Sequence, residues 1–144
     1  YSSKADVSGA VTLVDNFGCD TSDFDSIDIE ENIALIQRGS CPFARKAENA
    51  EAAGAVGVVV INRDDTVNPN TLTVGEDYAG GIPVFFVPFS LGVEWAATSD
   101  LVLHMNADTI TKRNSFSTNV LAETSGGRDD QVVMVGAHLD SVTN

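Results

Sequence analysis

Positive charge is scarce in this 144-residue chain: 8 lysines and arginines stand against 21 aspartates and glutamates, a net charge of −13. A surface this acidic repels phosphate backbones and anionic headgroups, so neither nucleic acid nor an acidic membrane is an expected partner. Long apolar runs are missing too. No stretch approaches the roughly 18 apolar residues that a bilayer span requires. Phosphate-binding and dinucleotide-binding glycine motifs are absent, as is a Gly-x-Ser-x-Gly nucleophile elbow. There is no Asn-x-Ser/Thr acceptor, so N-glycosylation is not expected. Tyr1 is not a start methionine and no leader pattern is visible, which reads as a mature or excised chain.

Cysteine is nearly absent as well, with only Cys19 and Cys41. An even pair fits one disulfide in an oxidising compartment, worth about 3 kcal/mol on the chain-entropy model. Two reduced, buried thiols are the other reading. Zinc ligation is weaker, because the spacing matches neither a finger nor a ribbon. The acids Asp20, Asp23, Asp25, Asp28, Glu30 and Glu31 crowd one segment. An EF-hand counted from Asp20 fails there, because Asp25 occupies the glycine position and Phe24 replaces a ligand. A solvated loop face is the expectation.

What is present is ordinary for a globular protein: 43% apolar and 20% charged residues. The hydrophobic patterning predicts strands over Val7–Val14, Ile33–Gln37, Val56–Ile61, Ile82–Val87 and Leu101–Ala107. Pro83 marks the fourth as a strand start or sheet edge. A helix is expected from Ser40, as N-cap, to Gly54, with Phe43, Ala47 and Ala50 inward and Arg45, Lys46, Glu48 and Glu51 outward. Strand, helix and strand then form a βαβ unit. A second helix is expected over about Leu91–Thr98. The polar stretch Asn62–Gly81 is long for a structureless loop, so function or mobility is expected of it. A boundary falls in the polar segment Asp108–Ser117. Beyond it, Thr118–Glu123 and Val132–Ala137 are expected to pair as a hairpin, the latter as a buried strand.

That last strand delivers Gly136-Ala137-His138-Leu139-Asp140-Ser141. Polar groups directly after a buried strand sit where open α/β sheets place their chemistry. His138 and Asp140 are two apart and share a face if the strand persists. A neutral imidazole suits zinc, and an aspartate can hold its other N–H. His104, mid-strand between Leu103 and Met105, reads as a surface or satisfied histidine. Ser141 lies near His138 without a serine-hydrolase elbow. At Ser40-Cys41-Pro42 the free backbone N–H groups offer an anion site. Balance of Arg38, Arg45 and Lys46 against Glu48 and Glu51 is the better reading.

Gly18-Cys19, then Ile33 through Phe43 (Ile-Ala-Leu-Ile-Gln-Arg-Gly-Ser-Cys-Pro-Phe), Lys46 through Ala50, and Ala53 through Asn62 together resemble the protease-associated (PA) domain. The tail, Asn119 through Glu123 and Val135 through Val142, resembles secreted and vacuolar zinc aminopeptidases of the aminopeptidase Y type. This resemblance implies an α/β (α+β) chain. Its PA part, residues 1–110, would be an open β-barrel or sheet with short flanking helices. Residues 111–144 would be a β-hairpin beginning an α/β zinc-peptidase domain. It implies that Cys19 and Cys41 pair, that His138 is a zinc ligand, and that Asp140 is the catalytic-site acid supporting it. Two zinc ions in a complete parent enzyme would polarise the peptide carbonyl and lower the pKa of a bridging water, and a glutamate would take its proton. The remaining ligands are not in this chain, so the fragment is expected to be inactive and to hold zinc weakly or not at all, since a catalytic site takes about three protein ligands. The implied partners are a peptide substrate and the rest of the catalytic domain, in a secreted, vacuolar or other extracytoplasmic setting. The PA part would border the substrate cleft, with Asn62–Gly81 gating entry or touching peptide. The alternative is a non-catalytic peptide- or protein-binding module of a subtilisin-like protease or sorting receptor.

Overall fold

The computed structural model describes residues 3–75 and 78–109, the single positions 120, 122, 126, 130 and 133, and residues 135–137. The chain divides into two units, Tyr1–Thr111 and Lys112–Asn144. The first carries all of the regular structure among the described residues. Its elements are β1 (Ala5–Val14), β2 (Ile33–Gln37), α1 (Phe43–Ala52), β3 (Gly57–Ile61), β4 (Val84–Val87), α2 (Phe89–Ala96) and β5 (Val102–Ala107).

The strands form one mixed sheet in the order β4-β3-β2-β1-β5. β1 to β4 run parallel and β5 antiparallel. β1 divides its length between two partners: Ala5–Ala10 pair with β5, and Val11–Val14 pair with β2. At that crossover a side chain on Gly9 would lie 2.7 Å from the Glu31 carbonyl, so glycine lets the two backbones close up.

The alternation of β2 and β3 explains why both read as continuous apolar runs. Ala34, Ile36, Val58 and Val60 face α1 residues Ala47 and Ala50. Ile33, Leu35, Val59 and Ile61 face the other way, toward Leu91 and Trp95 of α2 and Met105 of β5. Both faces are covered, as parallel strands require. β4 is the edge and Pro83 immediately precedes it, where a missing N–H does least harm. α2 begins two residues earlier than the sequence pattern predicts. Its Ser90 N–H is satisfied by Asp65 Oδ1 at 3.0 Å, a cap 25 residues away that local reading does not see.

Two expectations are corrected. Ser40 does not cap α1: Pro42 holds the N-cap position and no side chain caps the helix. Gly39 and Ser40 instead take positive φ (145° and 62°) in the reversal that carries the chain from β2 into α1. Lys46 is not on the outer face but fully buried. The long stretch Asn62–Gly81 contains a 3₁₀ turn at Pro69–Thr71 and buries Val74 and Tyr78 in the core. The hairpin Thr118–Glu123/Val132–Ala137 falls mainly outside the described residues. Its described positions Val133, Val135, Gly136 and Ala137 are exposed and carry no strand.

Candidate functional site

The ends of β1, β2 and β3 place three arrangements side by side. The first is a pinned turn after β1. Asn16, Phe17 and Gly18 all have positive φ (54°, 69° and 61°). For a phenylalanine this is a strained backbone, held only where its surroundings over-determine it. Those surroundings are on view. The Lys46 ammonium donates to the Phe17 carbonyl and lies 5.5 Å from its ring centroid. Asn49 Nδ2 donates to the Gly18 carbonyl at 3.2 Å. Cys19 is bonded to Cys41, with Cα atoms 5.9 Å apart. Gly39 lies beneath the Phe17 ring, where a Cβ would come within 3.0 Å.

The second is a polar knot beyond β2 and β3. Asn62 is fully buried. Its Oδ1 accepts from Arg38 Nη1 at 2.8 Å and from the Arg63 N–H at 2.9 Å, and its Nδ2 donates to the Val67 carbonyl at 2.8 Å. The Arg38 guanidinium lies 5.9 Å from the Phe43 ring centroid. Asn62 thereby fixes the start of the long loop, and Tyr78 fixes its end by donating to the Ile82 carbonyl at 2.9 Å.

The third is a groove of about 360 Å³ lined by Leu13, Asp15, Asn16, Phe17, Gln37, Ile61, Phe89, Val93 and Ala96, with Val14 at its base. It is mostly apolar and lies just outside the strand ends, where open sheets place ligands.

Burial pushes the Lys46 ammonium down to about 8, partly opposed by Asp23. Burial, then the nearby Glu51 carboxylate, pushes the Tyr78 phenol up to about 12. The signs give a pH profile. Between about pH 8 and 10.5 the unfolded chain holds the Lys46 proton that the folded one has lost, so stability rises with pH. Between about pH 10 and 12 the folded chain retains the Tyr78 proton that the unfolded one loses, so stability falls. Urea unfolding across this range is expected to peak near pH 10. Lys46→Met removes the rising limb and Tyr78→Phe the falling one. A flat profile in the parent chain contradicts both assignments.

Of the sequence-predicted residues, Cys19 and Cys41 meet in the disulfide. His104 is exposed and pairs through Nε2 with Asp6 Oδ1 on the neighbouring β1, as expected of a satisfied surface histidine. At the α1 start Arg45 pairs with Asp20 at 3.2 Å, Arg38 binds Asn62 and Lys46 is buried. The cations there are therefore satisfied, though not by Glu48 and Glu51; Glu51 instead accepts from the Gly81 N–H at 2.9 Å. His138, Asp140 and Ser141 lie outside the described residues. Among the described residues no group of three metal-capable side chains converges, so they offer no fit for zinc. The burial of Lys46, the Asn62 knot and the groove have no clear local signature in the sequence. The single available signal was a lysine one position before the apolar stripe residue Ala47.

The family model for the PA domain matches residues 7–95. An aminopeptidase of Pseudomonas aeruginosa is 51% identical over 128 residues, covering 87% of this chain and 24% of that protein. Aminopeptidase Y of Saccharomyces cerevisiae is 29% identical over 144 residues, covering 93% of this chain and 26% of that protein. Among solved structures, the aminopeptidase from Aneurinibacillus sp. strain AM-1 superposes with a TM-score of 0.59 at 34% identity, covering 67% of this chain and 23% of that one. A zinc aminopeptidase from Bacillus subtilis shares the fold at a TM-score of 0.54 and 23% identity. The chain thus spans about a quarter of the length of the relatives it matches.

Proposed function

The chain belongs to the PA-domain family, and from that premise we propose that it is the PA-containing part of a zinc-dependent aminopeptidase that releases N-terminal residues from peptides. The observation that carries this reading is the joining, in one chain, of a PA body to Gly136-Ala137-His138-Leu139-Asp140-Ser141. The relatives named aminopeptidase support it.

The body's own ends support an inserted domain. Ala5 pairs with Ala107, and Lys4 bridges Asp108 at 2.6 Å, so the chain enters and leaves at one point. A domain connected in this way can be inserted into a host without disturbing the host's fold. In this reading His138 is one zinc ligand and Asp140 orients it. The body borders the substrate cleft, and the remainder of the catalytic domain and a peptide substrate are its partners. The disulfide supports a secreted or vacuolar setting, since such bonds persist outside reducing compartments.

The test compares the 144-residue chain with its natural longer form on an aminoacyl anilide. The expected result is zinc-dependent turnover by the longer form, lost on chelation and restored by zinc, and none by the shorter. Zinc-dependent turnover by the 144 residues alone overturns the assignment of an incomplete site. Absence of metal-dependent turnover in the longer form overturns the peptidase reading and leaves a binding module.

A further inference from the structure

Leu13, Phe17, Phe89 and Val93 are exposed by 44%, 36%, 37% and 48%, and all four line the groove at the strand ends. Scattered apolar residues on a surface need no explanation, but a contiguous set marks an interaction site. The groove is also rigid on one side. Phe17 is fixed by its ion–carbonyl contact with Lys46 and by the adjoining disulfide, so little ordering cost attends binding.

Its charge is one-sided. Among the described residues, Asp15 is the only charged one in the lining. That carboxylate is available, because it makes no side-chain cap to the following turn. Four of the body's five cations are engaged elsewhere, Lys4 on Asp108, Arg38 on Asn62, Arg45 on Asp20 and Lys46 in the interior, and the fifth, Arg63, is exposed but outside the described lining. A described lining whose one charge is the Asp15 carboxylate favours a cationic partner over an anionic one. The groove lies at the far end of β1 from Ala5 and Ala107, about 30 Å along the strand, so it is distant from where the chain enters and leaves the body.

We propose that this groove binds an extended peptide segment bearing a bulky apolar side chain next to a lysine or arginine. The apolar side chain seats between Phe17, Phe89 and Val93 over Ile61, and the cation meets Asp15. A volume of about 360 Å³ suits one or two side chains rather than a folded domain. The inference concerns this body alone and does not depend on the catalytic reading.

The test is fluorescence anisotropy of short acetylated, dye-labelled glycine peptides carrying Phe-Lys, Ala-Lys or Phe-Glu at the centre, titrated with the 144-residue chain. Saturable binding of the Phe-Lys peptide is expected, weakened about tenfold or more in each control. Leu13→Ser/Val93→Ser is expected to weaken Phe-Lys binding about tenfold, and Asp15→Lys to reverse the preference for Phe-Lys over Phe-Glu. These side chains are exposed, and unchanged thermal unfolding confirms that the fold is kept. Failure to saturate below about 1 mM, equal binding of the Ala-Lys peptide, or indifference to both variants overturns the proposal. A dimer that Leu13→Ser/Val93→Ser dissociates overturns it in favour of a second copy. Binding by this chain but not by its longer form overturns it in favour of the parent's own catalytic domain as occupant. Loss of peptide binding leaves the aminopeptidase assay unaffected, so the two readings fail separately.

Discussion

Replacing Cys19 and Cys41 together by alanine is expected to lower the stability of the first unit by about 3 kcal/mol. The bond closes a segment of 22 residues, and on the chain-entropy model most of its effect lies in the unfolded state. Two native features add to the loss. The bridged segment carries Asp20, Asp23, Asp25, Asp28, Glu30 and Glu31, whose mutual repulsion favours expansion once the link is gone. The bond also anchors the strained Phe17 turn and the Lys46 ammonium, whose Nζ is 3.7 Å from Cys19 Sγ. Urea unfolding is expected to show a lower midpoint and a steeper slope, since an unlinked denatured chain exposes more surface. A loss below about 1 kcal/mol would place the pair outside the features that hold this fold together.

Gly92→Val is expected to cost about 3 kcal/mol, against the ordinary benefit of removing glycine from a helix. Gly92 is buried in α2 where the helix crosses β3. A Cβ there would lie 2.3 Å from Ile61 Cγ2, 2.6 Å from Cγ1 and 2.9 Å from Cβ. Ile61 is β-branched, nearly fully buried and held in a sheet strand, so it has no rotamer into which to retreat. Propensity gains well under 1 kcal/mol, whereas overpacking a close-packed contact costs about 1–3 kcal/mol and more for a branched side chain. Ile61→Ala in the same chain makes room. The double variant is therefore expected to be more stable than the sum of the two single losses implies, by about 1 kcal/mol or more. Strict additivity would mean that the two residues do not meet. The groove makes this contact matter, because Ile61, Phe89 and Val93 line it and their spacing is set by how closely α2 approaches β3.

Much of this architecture was legible in the residues. β2 and β3 are unbroken apolar runs of branched residues, and such runs have one stable use: as central strands covered on both sides. Gly54, at φ 98° directly after the Ala53 C-cap, ends α1 as its position suggested. The PA resemblance rested on residues whose spacing encodes this βαβ unit. Helical periodicity puts Lys46 one step from Ala47, and polarity then argues for the outer face. Only the fold supplies the Phe17 carbonyl that makes its burial tolerable. The residue type of Ser40 suits a cap, but the chain reverses at that position and brings Cys41 to Cys19.

The sequence by itself determined the order of strands and helices, the family, and the two faces of the central sheet, because periodicity and residue shape act over a few neighbours. The tertiary structure alone decided what the strand ends build. Phe17, Lys46, Asn62 and Phe89 are far apart in the chain, and each is polar or apolar for reasons that only its distant partners reveal. A groove is a relation between surfaces, and no local pattern of residues encodes the distance between them.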